Sequence, residues 1–276
     1  MFAAKAGARV VIGVDMSAIA EQAQVIVKAN GLDSIVKIVR GKIEDVDLTP
    51  YCQKGEVDII ISEWMGYALL YESMLDSVLV ARDCWLRKDG RGLIFPDQAS
   101  LYLVAIEDGD YKDEKIKFWE NVYGFDFSCI KDLALGEPLV DTVDAKQIMC
   151  TEPCKILEVD INTVTKEELN FTSSFALTAA RNDYAHGFLL YFDVTFQCGH
   201  KPIGFSTAPS NQYTHWKQTT FYLREDLIMC EGETVEGVFS CSRNATNHRE
   251  LDIRISYSFT GKHQSCQREA DLYRLR

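Results

Sequence analysis

The pattern of hydrophobic residues changes near Pro96, and this change limits the folds that the chain can adopt. Before it, the apolar runs "ARVVIGVD" and "EVDIIIS" alternate with segments of helical periodicity, "SAIAEQAQVIVKAN" and "YESMLDSVLVARDCWL". Continuous apolar runs between helices are typical of buried parallel strands. Residues 1–96 are therefore predicted to form a doubly wound α/β domain, in which Ser17 caps the first of these helices and Gly31 ends it.

After Pro96 the sequence becomes rich in β-type segments separated by polar turns, among them "ASLYLVAIED", "KILEVDINTV", "GFLLYFDVTFQ" and "ELDIRISYSFT". Little helical periodicity lies between them, which favours an antiparallel β-sandwich or β-barrel over residues 97–276. A mixed segment at about 112–150 contains more aromatic residues than a linker needs: Trp119, Tyr123, Phe125 and Phe127. Such an arm could dock on another subunit or pack against its own domain, and the residues alone leave both readings open.

The composition favours a globular protein that binds cations rather than nucleic acid. Of the 276 residues, 47% are apolar and 25% are charged, which is ordinary for a soluble domain. With 29 basic and 41 acidic residues the net charge is −12, which repels a phosphate backbone and attracts a basic peptide. Solubility alone also explains most of these charges.

The cysteines and the apolar runs give a prediction of compartment. Nine cysteines are scattered without a disulfide framework, as expected in a reducing environment. The closest pair, Cys150 and Cys154, lacks a second pair at zinc-finger distance, so no metal site is predicted. No apolar run approaches the ~18 residues of a membrane span, and no signal peptide pattern is present. We therefore predict a nuclear and cytoplasmic protein without a membrane partner.

Two acidic residues follow predicted strands of the α/β domain. Asp15 closes "VVIGVD", the position where a carboxylate in doubly wound folds accepts hydrogen bonds from the ribose of an adenosine ligand. An Asp near a helix start is also common without a ligand. Glu44 follows the next strand, where the loop facing an adenine runs, although a solvated loop carboxylate is an equally simple reading.

The stretch "SEWMGYALLYES" places Glu63 and Glu72 nine residues apart among large apolar side chains. On one straight helix these residues would be turned about 900° apart and would face opposite sides. They can converge only if the segment loops, which Gly66 permits, and Glu72 would then lie in the first turn of the next helix. Two ionised carboxylates held together need a cation between them, and a guanidinium can satisfy both. Two unrelated glutamates remain the alternative.

The segment "SEWMGYALLYESM" resembles the double-Glu loop of the protein arginine N-methyltransferases. The segment "YTHWKQTTFYL" resembles their Thr-His-Trp loop, and "LIFPD", "YKDEKIKFWENVYGFD" and "EPLVDTVD" follow the same family in order. The resemblance runs along the whole chain and is strongest to the predominant type I enzymes, which form asymmetric dimethylarginine. It implies a Rossmann-like domain that binds S-adenosylmethionine and a β-barrel with an inserted dimerisation arm.

The resemblance also implies roles for individual residues. Glu63, Glu72 and His215 would be catalytic, and no metal would be needed. The acceptor arginine, on a histone tail or an Arg/Gly-rich protein, would contact a set of loop residues: Glu63, Met65, Tyr67, Glu72, His215 and Trp216. S-adenosylmethionine, the methyl donor, would contact Asp15, Met16, Ser17, Lys42, Ile43, Glu44 and Met74. The arm at 112–150 would form a homodimer.

Doubly wound folds place the Gly-rich ligand loop ~20 residues before an acid such as Asp15. The family that the chain resembles has this loop and, in addition, N-terminal helices that fold over the donor. Counting back from Asp15 passes Met1, so we expect the sequence to begin inside the donor domain. Two other functions compete with the enzyme hypothesis: a non-catalytic dimerisation partner that lacks donor binding, and a nicotinamide-dependent oxidoreductase. The oxidoreductase explains Asp15 but neither the paired glutamates nor His215.

Overall fold

The computed structural model describes the whole chain, Met1–Arg276. The chain forms two compact units: the first contains Met1–Ser62 and Leu75–Phe95, and the second contains Glu63–Met74 and Pro96–Arg276. The hydrophobic pattern suggests that the chain passes from the first domain to the second only once, between residues 96 and 97. It does not predict that Glu63–Met74 leaves the first unit and joins the second.

The first unit is an α/β structure with parallel strand pairs, as predicted. Its elements in chain order are α1 (Phe2–Lys5), β1 (Val11–Asp15), α2 (Ile19–Ala29), β2 (Val36–Arg40), β3 (Ile59–Ile61), α3 (Leu75–Trp85) and β4 (Leu93–Phe95). Strand β1 pairs in parallel with β2, and β3 pairs in parallel with β4. The predicted burial of β3 is wrong, because Ile59 is 49% and Ile61 is 73% exposed. A small apolar core of Ala4, Val27 and Val36 packs α1 and α2 against β2.

The ends of α2 differ in part from the prediction. Ser17 does not cap the helix, because the residue at the cap position is Ala18 and no side chain accepts a hydrogen bond there. Instead the backbone N–H and the hydroxyl of Ser17 both donate to Asp15. Gly31 follows the C-terminal residue Asn30 with φ of 64°, which confirms it as the left-handed residue that ends the helix.

The second unit consists mainly of antiparallel strands. Its elements are β5 (Gln98–Ile106), α4 (Gly109–Ile116), α5 (Lys131–Leu135), β6 (Leu139–Asp141), β7 (Cys154–Asp160), β8 (Phe171–Thr178), β9 (Asp183–Phe196), β10 (Ile203–Ser206), β11 (Gln218–Met229), β12 (Thr234–Arg243), β13 (Leu251–Thr260) and β14 (Ser265–Leu275). One sheet has the order β6-β11-β9-β5-β7 with β10 beside β9, and the other has the order β14-β13-β12-β8.

Aromatic side chains pack the two sheets of this unit together. Phe188 on β9 meets Phe175 on β8 edge-to-face at 5.2 Å, and Phe221 on β11 meets Tyr273 on β14 at 5.1 Å. The hydroxyl of Tyr273 donates to the carbonyl oxygen of Tyr222 at 2.9 Å. Burying one such side chain stabilises the fold by about 1.5–3 kcal/mol, and each edge-to-face pair adds about 0.5–1.5 kcal/mol. These contacts pack the two sheets of the predicted β-barrel domain against each other.

The arm at 112–150 lies within the second unit and is built from α4, α5, β6 and short turns. Arg224 on β11 pairs with Asp132 on α5, and the backbone N–H of Arg274 donates to the carbonyl of Gly136 at 2.8 Å. The arm exposes several large apolar side chains: Phe118, Tyr123, Phe125, Phe127 and Leu133. None of the helices of the chain is long and apolar enough to span a membrane.

The loop Glu63–Met74 folds back on itself, as predicted, but not through a left-handed glycine. The N–H of Gly66 donates to the carbonyl of Leu69 at 2.9 Å, and the N–H of Tyr71 donates to that of Tyr67 at 3.1 Å. Positive φ angles fall on Ala68 (49°) and Leu69 (68°) instead. Both of these residues are buried, so packing holds a conformation that such residues rarely adopt.

Glycine is required at position 66 because another backbone segment passes very close to it. A Cβ atom built on Gly66 would lie 2.1 Å from the carbonyl oxygen of Tyr71. No flexible side chain could move aside to relieve that clash. The hydrogen-bonded turn that returns the chain from Glu63 toward Glu72 therefore depends on the missing side chain.

We expect Gly66→Ala to lower the free energy of unfolding by about 1–3 kcal/mol, because the new methyl group must push the Tyr71 carbonyl away. Denaturant unfolding of the purified protein measures this loss. Gly136→Ala is the matched control, since its Cβ would have no neighbour closer than 3.4 Å and its φ is −75°. Equal stabilities of the two variants would contradict this role of Gly66.

Candidate active site

The loop Glu63–Met74 has an apolar base and carries two exposed carboxylates. Trp64 and Leu69 are almost completely buried, at 2% and 0% exposure, and Met65 is buried at 8%. The side chains of Glu63 and Glu72 are exposed. The apolar residues of the motif thus anchor the loop in the second unit, while its acids remain accessible to a ligand.

Glu72 does not lie in the first turn of a helix, which corrects the expectation from sequence. It lies in a short 3-10 turn, Tyr71–Ser73, with φ of 73°, and α3 begins only at Leu75. A left-handed residue outside the helix is not aligned with the helix dipole. The positive charge near Glu72 comes instead from the side chain of Arg249. Its Nη2 lies 2.9 Å from Oε1 of Glu72.

The second motif contacts the first through a hydrogen bond. The indole Nε1–H of Trp216 donates to the carbonyl oxygen of Met65 at 2.9 Å. The Trp216 ring is stacked on Phe205 at 5.4 Å and meets Phe192 edge-to-face at 5.7 Å. His215 is exposed, with its ring 4.0 Å from that of Trp216. The structure therefore brings the Thr-His-Trp loop and the double-Glu loop together.

The loop that carries His215 is fixed on its other side by an ion pair that the sequence does not reveal. Lys217, with φ of 52°, donates to Asp141 on β6 at 2.9 Å, and the hydroxyl of Tyr111 donates to the same carboxylate at 2.9 Å. The bond from Lys217 is the main cause that lowers the pKa of Asp141, and Asp141 in turn raises the pKa of Lys217. Asp141 and Lys217 lie 76 residues apart, so no local signal could have paired them.

Asp15 lies at the carboxyl end of β1, as predicted, and is held in one orientation. Its Oδ1 accepts hydrogen bonds from the hydroxyl of Ser17 at 2.6 Å and from the Ser17 backbone N–H at 2.7 Å. These bonds lower the pKa of Asp15. Both bonds use Oδ1, so Oδ2 can still accept from a ribose hydroxyl. Met16 beside it is 64% exposed.

The other predicted donor residues are divided between the two units. Lys42, Ile43 and Glu44 follow β2 in the first unit, where Oε1 of Glu44 accepts from the hydroxyl of Ser77 on α3 at 2.6 Å. Met74, 44% exposed, belongs to the second unit.

The fit of an adenosine ligand rests on Asp15 and Glu44. Each is an exposed carboxylate whose orientation is fixed by a serine, which suits it to accept hydrogen bonds from a ribose or an adenine amino group.

Tyr67 is the last of the residues predicted to contact the acceptor arginine. It is 38% exposed, and its ring is stacked on that of Tyr71 at 6.0 Å. The contact keeps the Tyr67 ring beside the turn rather than free in solvent. No group of three or more His, Cys, Asp or Glu side chains is arranged to hold a metal ion.

Comparison with protein families gives a match over more than half of the chain. Residues 97–262 match the family model described as the arginine methyltransferase oligomerization subdomain. The match covers the arm and most of the β-barrel.

Curated relatives match nearly the entire chain. Protein arginine N-methyltransferase 1 of Schizosaccharomyces pombe is 55% identical over 259 residues, covering 94% of this chain and 74% of the relative. Protein arginine N-methyltransferase 1.1 of Arabidopsis thaliana is 51% identical over 269 residues, covering 97% of this chain and 67% of the relative. These matches disfavour the oxidoreductase and give no support to the non-catalytic alternative.

Solved structures of the same family share the fold. A Trypanosoma brucei PRMT1 enzyme-prozyme heterotetrameric complex with AdoHcy matches with a TM-score of 0.92 and 46% identity, covering 100% of this chain and 84% of that one. Arabidopsis thaliana protein arginine methyltransferase 10 matches with a TM-score of 0.83 and 29% identity, covering 100% and 85%. With both loop motifs in contact and relatives above 50% identity across its length, this chain belongs to the protein arginine N-methyltransferase family.

Proposed function

We propose that Glu63 and Glu72 bind the guanidinium of a peptidyl arginine and that His215 and Trp216 close the acceptor site beside them. The observation that carries this proposal is the hydrogen bond from Trp216 to the carbonyl of Met65, which connects the two motif loops. Met65 and Tyr67, on the same loop, would shape the space around the guanidinium.

The chemistry requires a nitrogen with an available electron pair. Arginine in water is protonated, with a pKa above ~12, and offers almost no neutral nucleophile. Carboxylates that pair with a guanidinium draw its positive charge toward the bonded nitrogens and leave the remaining nitrogen richer in electrons. Glu63 and Glu72 would thus orient and polarise the acceptor, and in-line placement would supply much of the rate enhancement.

S-adenosylmethionine supplies the methyl group from its sulfonium. Asp15 would accept hydrogen bonds from the donor ribose and Glu44 would face the adenine, with Met16, Ser17, Lys42 and Ile43 alongside them. Met74, after the second glutamate, would contact the donor. The support for these roles is the fixed, ionised carboxylate of Asp15 at the end of a parallel strand.

The products and substrates follow from the same family features. Met65 and Met74 flank the two acids as they do in type I enzymes, so we expect monomethylarginine and then asymmetric dimethylarginine. The net charge of −12 favours basic acceptors such as histone tails and Arg/Gly-rich proteins, which in turn suggests action in the nucleus and cytoplasm.

The arm at 112–150 would bind a second copy of the chain. It exposes several apolar rings, with Tyr123 at 97% and Phe125 at 69% exposure. Large apolar side chains exposed in one segment are typical of an interface. The matched family model describes an oligomerization subdomain, which supports a homodimer formed through this arm.

Replacing either acid of the clamp tests the function directly. We expect Glu63→Gln and Glu72→Gln each to lower the rate of methyl transfer by at least ~100-fold, since each removes a charge that polarises the acceptor. Transfer of radiolabel from S-adenosylmethionine to an Arg/Gly-rich peptide measures the rate. Glu236→Gln, an exposed glutamate on β12, is the control and should keep full activity. Undiminished transfer by either clamp variant would contradict the proposal.

Binding of S-adenosylmethionine should depend on Asp15, and its affinity should change little with pH above about pH 5. Because its pKa is lowered, this carboxylate stays ionised when the pH falls to ~3.9, the ordinary pKa of an Asp. Its contribution to donor affinity is therefore present above that pH and is lost below it. Asp15→Asn should weaken binding of S-adenosylmethionine about 10-fold or more, because a hydrogen bond to a charged group contributes roughly 1.5–3 kcal/mol.

Calorimetry from about pH 3 to about pH 8 measures this affinity across the expected acidic loss. Asp33→Asn, an exposed acid in the same unit, is the control and should bind as the wild type does. Ser17→Ala should move the acidic loss of affinity to higher pH, because the Ser17 hydroxyl is the main cause of the lowered pKa. Wild-type affinity in Asp15→Asn would exclude this residue from the donor site.

Substitutions in the arm test whether it forms the dimer interface. The double variant Tyr123→Ser, Phe125→Ser should convert a dimer into a monomer, because it removes apolar area from the exposed side of the arm. Sedimentation velocity reports the mass. Ile203→Ser, 64% exposed on the edge strand β10, is the control and should remain dimeric. A monomeric wild type, or a double variant that stays dimeric, would show that the arm does not form the interface.

A further inference from the structure

The turn between β12 and β13 is attached to the acceptor loop at the position of Glu72. The backbone N–H of Glu72 donates to the carbonyl of Arg249 at 2.8 Å, and the hydroxyl of Ser73 donates to the carbonyl of His248. The Arg249 side chain returns to the same residue, with Nη2 at 2.9 Å from Oε1 of Glu72. Three contacts therefore join two segments that lie 175 residues apart in the chain.

These contacts hold a backbone that the local sequence does not favour. Glu72 has φ of 73° and Ser73 has φ of 54°, and neither is a glycine. Non-glycine residues remain in this region only where their surroundings fix them, and such residues cluster at functional sites. The Arg249 carbonyl fixes the Glu72 backbone, the His248 carbonyl holds the Ser73 hydroxyl, and the Arg249 guanidinium fixes the end of the Glu72 side chain.

The turn is itself rigid. Asn244, 5% exposed, accepts from the backbone N–H groups of Thr246 and Asn247, each at 2.9 Å, and its own amide donates to both oxygens of Asp252. The backbone N–H of Asn244 donates to the carbonyl of Glu250 at 2.9 Å. A side-chain network of this kind sets the backbone path of a turn. Arg249 is thus presented to Glu72 from a fixed base.

We infer that Arg249 is a positioning residue that acts through Glu72, an inference that rests on the function proposed above for that acid. Its Nη2 pairs with Oε1 of Glu72. Because a carboxylate accepts hydrogen bonds on both oxygens, Oε2 of Glu72 stays available to the acceptor arginine. The side chains of the pair are 65% and 49% exposed, which leaves room for a second guanidinium beside it. Arg249 fixes the direction in which Glu72 points without filling its binding capacity.

This arrangement predicts separate effects on kcat and on KM. Without Arg249, Glu72 can rotate, and the loss of orientation lowers kcat. The Arg249 guanidinium repels a basic peptide. Its removal should therefore not weaken binding of that peptide. Arg249→Met should therefore lower kcat about 10-fold and leave the KM for an Arg/Gly-rich peptide unchanged within about 2-fold or lower.

A double-mutant cycle distinguishes positioning from a structural role. Arg249→Met, Glu72→Gln and the combined variant are compared by kcat in the radiolabel assay. If Arg249 acts through Glu72, Arg249→Met should have little further effect once Glu72 is Gln, whereas an independent structural role would give multiplicative losses. Arg254→Met, an exposed arginine on β13, is the control and should match the wild type.

The conservative variant keeps the test valid if Arg249→Met unfolds. Arg249→Lys keeps the charge and the backbone carbonyl contacts but lacks the planar donors, so its kcat should lie between those of the wild type and the Met variant. Wild-type kcat in both folded Arg249 variants, or a full multiplicative loss in the combined variant, would overturn the inference. A wild-type rate in Glu72→Gln alone would instead overturn the proposed function of the clamp.

Discussion

The hydrogen bond from the Trp216 indole to the carbonyl of Met65 joins the two loops that carry the proposed acceptor site. These residues are 151 positions apart, and each loop needs the other. The double-Glu loop contains four non-glycine residues with positive φ, at 68, 69, 72 and 73, which no isolated peptide of this sequence would maintain. Burial of Trp64 and Leu69, the close approach of Gly66 to Tyr71, and the Trp216 bond together fix the loop in the β-barrel unit.

In the same unit, a buried polar network joins β11 and β9 to the start of α4, at the root of the arm. Asp108, at the start of α4, accepts from the hydroxyl of Tyr222 on β11 at 2.6 Å and from the side-chain amide of Gln147 at 2.7 Å. Its backbone N–H donates to Nδ1 of His186 at 3.1 Å. A buried carboxylate is costly unless it is hydrogen-bonded, and here both of its oxygens have partners. These hydrogen bonds therefore hold the root of the arm in place.

The sequence predicts most of the strands but not the way in which the chain passes between units. Continuous apolar runs reveal β1 and β3, and alternating residues reveal β13, where every second side chain from Leu251 to Phe259 is buried. Strand β14 is missed because its first half carries Gln267, Arg268 and Glu269, and regular burial begins only near its end.

The candidate site shows the same division between local and distant information. The motif locates Glu63, Glu72, His215 and Trp216, because short spacing and residue type suffice for that. It places Glu72 wrongly in a helix, since a left-handed φ at a glutamate has no local signal and is held by distant backbone carbonyls. Arg249 and Asp141 lie beyond any pattern along the chain, because only tertiary structure pairs them with Glu72 and Lys217.

The exposure of the two clamp acids also bears on how they can act. Charges that remain in water interact weakly, by about 1 kcal/mol for a pair at 4 Å, whereas the same pair in a site of lower effective dielectric constant interacts several times more strongly. Glu63 and Glu72 are exposed. In the proposed function they would therefore capture a hydrated guanidinium without polarising it strongly, and their full electrostatic effect would require that water be excluded when acceptor and donor are both bound. The proposed site would thus separate recognition, which exposed acids provide, from activation, which depends on the assembled complex.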